Sequence, residues 1–126
     1  MKKKDGKLCP VQDYRYLNDH IVKNTYPLPL VSNLINTLQC FSCFTKFNVC
    51  WGYNNIRIKD GDKWKAAFIT PLGLFKPMVM FFSLCGSPLT FQTFMNSNFT
   101  DYICEGWLVI YMDDLVIGAD SIEDAE

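Results

Sequence analysis

The sequence predicts an α+β globular domain built around a hairpin tipped with carboxylates. First, Trp107 to Ala119 reads WLVIYM-DD-LVIGA, two apolar, β-branched-rich runs around adjacent aspartates, the pattern of strand, tight turn and returning strand. Second, stretches with helical spacing at about 29–39 and 87–103 are separated by stretches that alternate or turn, so strands and helices are interspersed. Third, 126 residues with 49% hydrophobic content, no internal repeat and no low-complexity tract are enough for one domain or a large piece of one.

The elements follow in order. Lys2 to Lys7 is a polar, glycine-containing turn, and Leu8–Gln12 reads as a short strand. Asn24–Leu30 (NTYPLPL) is a proline-punctuated linker; Pro29 suits the first turn of a helix running to about Gln39, with Leu30, Leu34, Ile35 and Leu38 on one face. Asn54–Lys59 alternates and predicts a strand, Asp60-Gly61-Asp62 a turn, Trp64–Thr70 a returning strand and Gly73–Val79 another. Ser87 and Pro88 suit the N-cap and first position of a helix carrying Leu89, Phe91 or Gln92, Phe94, Met95, Phe99 and Ile103, which Glu105-Gly106 ends. From Asp120 the chain reads as a frayed acidic tail.

At the hairpin tip, Asp113 and Asp114 set two like charges side by side, and each raises the cost of ionising the other unless cations are near. Aspartate is also an ordinary turn residue, so a solvated turn is the plain alternative. Asn-Gly or Asp-Gly would suit a two-residue turn better, because such turns need positive φ.

Net charge is −1, but it is unevenly spread. Residues 1–23 carry Lys2, Lys3, Lys4, Lys7, Arg15 and Lys23 against Asp5, Asp13 and Asp19, while residues 101–126 carry eight acidic groups and no Lys or Arg. One end suits polyanions and the other cations, with a solvated lysine tail as the plain reading of the first. The six cysteines, at 9, 40, 43, 50, 85 and 104, include a single CxxC at Cys40–Cys43 and stand far from the lone His20. They are read as buried or incidental thiols; a cysteine-based metal-binding module is the remote alternative. No apolar run is long enough for a bilayer span and no secretory leader precedes the domain, so an intracellular (cytoplasmic or nuclear) protein without membrane contact is expected.

Five ordered stretches then carry a resemblance. KKDGKL-x-PVQDYRYLN, NTYPLPL, FTKFN with WGY at 51–53, IRIKDGDKWKAAF with the loop-helix FFSLCGSPLTFQ, and finally Tyr111-Met112-Asp113-Asp114 closely resemble the reverse transcriptases of gypsy-type LTR retrotransposons. The resemblance runs from about Lys2 to about Asp120 and implies the fingers-to-palm portion of that fold, an antiparallel sheet backed by helices. It divides residues 1–126 into a fingers-side segment to about residue 43 and a palm-type portion from about residue 44. With the chain stopping just after the hairpin, the family's thumb and ribonuclease H are expected to be absent.

The resemblance implies RNA-directed DNA polymerase chemistry. Asp113 and Asp114 would be catalytic residues and ligands of Mg²⁺ or Mn²⁺, on a template-primer of RNA or DNA with an incoming dNTP. It assigns Lys3, Lys4, Tyr53 and Phe82 to the nucleotide, and Arg15, Pro88, Gln92, Tyr111 and Met112 to template and primer. Three positions depart from the family. Cys9 stands for an Arg that grips the triphosphate, a task suited to a planar bidentate fork. Ser83 stands for a Gly, which brings strain if positive φ or close backbone approach is required. Asn48 stands for the first catalytic aspartate, losing a charge and a hard anionic oxygen where magnesium wants both. An impaired polymerase is therefore expected, with a domain active only inside a larger polyprotein as the alternative.

Overall fold

The computed structural model describes Gly6 and residues 12–121. All but the last residue of the expected strand at Leu8–Gln12 and nearly all of the acidic tail fall outside these residues, as do Lys3, Lys4 and Cys9. Two compact units emerge, each discontinuous in sequence. Residues up to Lys23 group with Tyr53–Ser87, and Asn24–Gly52 group with Pro88 onward.

The first unit holds short elements. Helix α1 spans Arg15–His20. Tyr14, just before it, is buried, and its hydroxyl donates to the Ala66 carbonyl at 2.6 Å while its ring lies 5.0 Å from that of Phe81. Strands β2 (Phe68–Thr70) and β3 (Gly73–Phe75) pair antiparallel through a tight turn. The longer strands read from the alternation at 54–59, 64–70 and 73–79 do not form. Gly52–Asn55 and Lys63–Ala66 are 3₁₀ turns, and the only trace of the 54–59 strand is one bridge, Arg57 to Val79, flanked by Ile58 N–H to Met78 O and Met80 N–H to Ile56 O. Two causes are visible. Lys63 and Lys65 pair with Asp60 and Asp62 at i,i+3 spacing, which suits a tight helical turn and not an extended strand. Pro77, beside the bridge, has no N–H to give a ladder.

The second unit is built on one sheet. Helix α2 (Val31–Leu38) follows the proline linker as the apolar spacing requires, with extended Leu30 at its N-cap. Strand β1 (Cys43–Asn48) pairs with β5 (Asp114–Ala119), and β5 with β4 (Leu108–Tyr111), giving the antiparallel order β1-β5-β4. The β1–β5 ladder runs from Cys43 opposite Ala119 to Asn48 opposite Asp114. Close packing fixes Gly118 in this ladder, since a Cβ there would run into the Phe41 ring. The single helix expected from Ser87 breaks at Phe99 into α3 (Ser87–Asn98) and α4 (Thr100–Glu105), and Gly106 closes α4 at φ 88°, a conformation favouring glycine. Phe91 and Met95 of α3 and Leu108, Val109 and Ile110 of β4 are buried and form this unit's core.

Candidate nucleic-acid and cation site

Pairing at the end of the sheet gathers the tip. Asn48 ends β1, Asp114 begins β5 and Tyr111 ends β4; Asp114 lies opposite both of the others in the two registers. The Val49 N–H donates to the Asp113 carbonyl at 2.8 Å, extending the β1 contact into the turn. The hairpin aspartates therefore face β1, and the residue opposite Asp114 on that strand is Asn48, the position where the resemblance implies an aspartate.

The Asn48 amide acts as a donor. Its Nδ2 lies 3.0 Å from Asp114 Oδ1 and 3.4 Å from Asp113 Oδ2. Lys46, two residues earlier and so on the same strand face, sets its Nζ 3.1 Å from Asp114 Oδ2. Both oxygens of Asp114 thus have a donor. The Asn48 hydrogen bond and then the Lys46 contact hold the Asp114 carboxyl below the usual carboxylate range. Spacing could have revealed Lys46, at position i−2 from Asn48, but sequence reading passed over it.

The donor set bears on a divalent cation. Two adjacent carboxylates supply the hard, anionic oxygens that magnesium prefers, so Asp113 and Asp114 are the groups that would hold one. Asn48 would add a neutral carbonyl oxygen only after its amide turns over, and Lys46 competes as a cation already in place. Among the described residues no group of three His, Cys, Asp or Glu is placed to bind a metal. Of the described thiols, Cys40, Cys50, Cys85 and Cys104 are exposed and Cys43 is half-buried, so of the two expectations, buried or incidental, burial is not what the structure shows for them.

The turn itself is unusual. Met112 has φ 55°, so positive φ falls on the first central residue of the turn and not on an aspartate; Trp51, three residues past Asn48, has φ 57°. These are the only non-glycine residues with positive φ among those described. Gln92 supports the turn from beneath. It is fully buried, accepting the Met112 N–H on Oε1 at 2.6 Å and donating from Nε2 to the Ile110 carbonyl at 3.1 Å. With no exposed surface, Gln92 acts in this unit as support of the hairpin. Its partners lie 18 and 20 residues away, a separation no local pattern reveals. Tyr111 lines, with Lys46, Asp114, Val109, Val116 and the apolar face of α2, a cavity of about 300 Å³.

The remaining expected residues lie elsewhere. Tyr53 is half-buried in the Gly52–Asn55 turn and Phe82 is 51% exposed, both in the first unit. Arg15 is exposed and held by Asp13 through Nε and Nη2, an arrangement that lowers the Asp13 carboxyl to about 2. Pro88 is the second residue of α3, after Ser87, whose hydroxyl donates back to the Phe81 carbonyl. Ser83 does not take positive φ, so the backbone strain considered for it is absent; its carbonyl accepts from the Asn18 amide, which also receives the Cys85 N–H.

Comparison with known proteins bears on family and fold. Over 119 residues, 94% of the chain, the sequence is 39% identical to the Transposon Tf2-3 polyprotein of Schizosaccharomyces pombe and 38% identical to its Tf2-7 counterpart. The chain spans 9% of the length of these relatives. In fold it is similar to the foamy virus protease-reverse transcriptase: TM-score 0.81 at 19% identity for a prototype foamy virus structure, covering 98% of this chain and 16% of that one. A structure of the foamy viral protein in complex with RNA/DNA hybrid gives 0.79 at 16% identity, covering 90% and 15%. The reverse transcriptase (RNA-dependent DNA polymerase) family profile matches residues 1–126, and with it the chain, folded as an antiparallel sheet with helices and tipped by paired aspartates, belongs to that family.

Proposed function

We propose that this chain is the fingers-to-palm portion of a gypsy-type retrotransposon reverse transcriptase whose nucleotidyl-transfer site is impaired at Asn48. The observation that carries the reading is the Asn48 amide donating to both hairpin carboxylates where the family has an aspartate. Divalent cations, when bound, activate the primer hydroxyl and stabilise the leaving pyrophosphate. Asp113 and Asp114 would hold Mg²⁺ or Mn²⁺, and Lys46 and Asn48 oppose it by satisfying the same oxygens. Loss of a carboxylate that helps to hold the cations would cost on the order of a thousandfold or more in rate.

A template-primer of RNA or DNA and a dNTP are the substrates that go with this reading. Arg15, Pro88, Tyr111 and Met112 would face the first, and Lys3, Lys4, Tyr53 and Phe82 the second. An intracellular site of action goes with it too; among the described residues no helix is long and apolar enough to cross a membrane. The second reading, a domain active only within a larger polyprotein, is favoured by the small share of the Tf2 polyproteins that the chain spans.

Primer extension on an oligo-dT/poly-rA template with Mg²⁺ or Mn²⁺ tests both. The chain as it stands is expected to give no measurable incorporation, and robust incorporation would defeat the impairment. Adding thumb and ribonuclease H segments while keeping Asn48 separates the readings: activity that returns supports the polyprotein, and activity that returns only with Asn48→Asp supports the damaged site.

A further inference from the structure

We propose that Gln92 is a positioning residue for the acidic tip, its buried amide holding Met112 in the left-handed conformation that aims Asp113 and Asp114. The side chain meets the hairpin as a strand would. It takes the N–H of Met112 and gives to the carbonyl of Ile110, groups two residues apart where β4 runs into the turn. Its second amide hydrogen goes to Asn96 Oδ1 at 2.9 Å, and the Asn96 Nδ2 donates to the Tyr26 hydroxyl at 2.7 Å. Because Oε1 must face an N–H and Nε2 two acceptors, only one orientation of the amide satisfies every partner. The relay from the linker at Tyr26, through one turn of α3, ends on the strained residue of the turn.

That end point gives the contact its consequence. A methionine at φ 55° relaxes toward negative φ unless something holds it, because an L side chain there crowds its own backbone. Release of Met112 would turn the next peptide, which carries Asp113, and shift Asp114 relative to Asn48 and Lys46. Groups that orient metal ligands from behind typically change metal affinity by about tenfold to a hundredfold when removed. The backbone part of this inference stands alone; the cation part rests on the proposed function above.

The test uses the full chain, with and without Asn48→Asp, and two readouts: native-state hydrogen exchange at the Met112 amide, and Mn²⁺ affinity by electron paramagnetic resonance. Gln92→Met keeps the length of the side chain and removes its hydrogen bonds. It is expected to lower Met112 protection on the order of tenfold to a hundredfold, the loss of a buried hydrogen bond, and to weaken Mn²⁺ binding in the Asn48→Asp chain about tenfold. Met95→Ala, a buried change on the same helix, lowers global stability but leaves both readouts within about twofold of the parent if Gln92 acts locally. Should Gln92→Met fail to fold, Gln92→Glu takes its place: Met112 protection, corrected for intrinsic exchange, rises as pH falls and the carboxyl becomes a donor to Ile110. Unchanged Met112 protection in a folded Gln92→Met chain, or a pH-independent Gln92→Glu chain, overturns the proposal. An Asn48→Asp chain that binds no Mn²⁺ with Gln92 intact overturns the cation site instead, and the exchange readout still decides the role of Gln92.

Discussion

The two compact units are held in opposite ways. The unit with Gly118 and Phe91 rests on a ladder that joins residues 66 to 76 positions apart, from Asn48–Asp114 to Cys43–Ala119. The unit with Tyr14 and Ala66 rests on two three-residue strands, one bridge, ion pairs three residues apart and single side-chain hydrogen bonds across 52 to 67 residues, with no long ladder among its described residues. Long-range pairing costs more chain entropy to close but fixes its partners in register. Local turns form more readily and fix less. The candidate site sits where the long ladder ends, so its geometry is inherited from every pair before it.

The sharpest way to break this contrast is Phe91→Ala. The ring is 1% exposed, and its loss is expected to cost about 3–5 kcal/mol, read as a fall in the denaturation midpoint with loss of amide protection along β4 and β5. Gly118→Ala comes next, at about 1–3 kcal/mol, because the new methyl overpacks against Phe41 inside the ladder. Tyr14→Phe probes the other unit. Removing a hydroxyl that donates to Ala66 is expected to cost about 1 kcal/mol by the same denaturation and to lower protection at Ile58 and Met80 more than in β5. Equal loss of protection in both units would erase the distinction.

The smallest effect is electrostatic. Asp114 has its carboxyl lowered by Asn48 and Lys46, so the contact is in force above the ordinary carboxylate range and is lost as pH falls through the lowered value. Carboxyl carbon NMR is expected to show the Asp114 midpoint rising in both Asn48→Ala and Lys46→Ala, more in the first. An unmoved midpoint in Asn48→Ala would show that the amide does not donate there.

These contrasts also explain what the sequence made legible. The hairpin was readable because two apolar runs bracket a polar pair, and the α2 helix because leucines recur at its spacing after a proline. Asn48 could be placed opposite the aspartates only through the family frame, since no local pattern reaches across 65 residues. The strand expected at 54–59 failed because alternation reports a half-buried face and not a partner, and Pro77 leaves the partner unable to pair further. The hairpin support from Gln92 was not legible, because helical spacing gives a face but not the partners Ile110 and Met112, 18 and 20 residues away.

The sheet has two outer rails, β1 and β4, and any sheet with free rails invites a stranger's backbone. On β4 the rail is stoppered at the hairpin end, where a glutamine side chain occupies the sockets at Ile110 and Met112 that an incoming strand would use. β1, which also presents the greasy rings of Phe44 and Phe47 to water, has no such stopper described. Self-association of this chain would therefore begin along β1, and a lysine in place of Phe44 is the change most suited to discourage it.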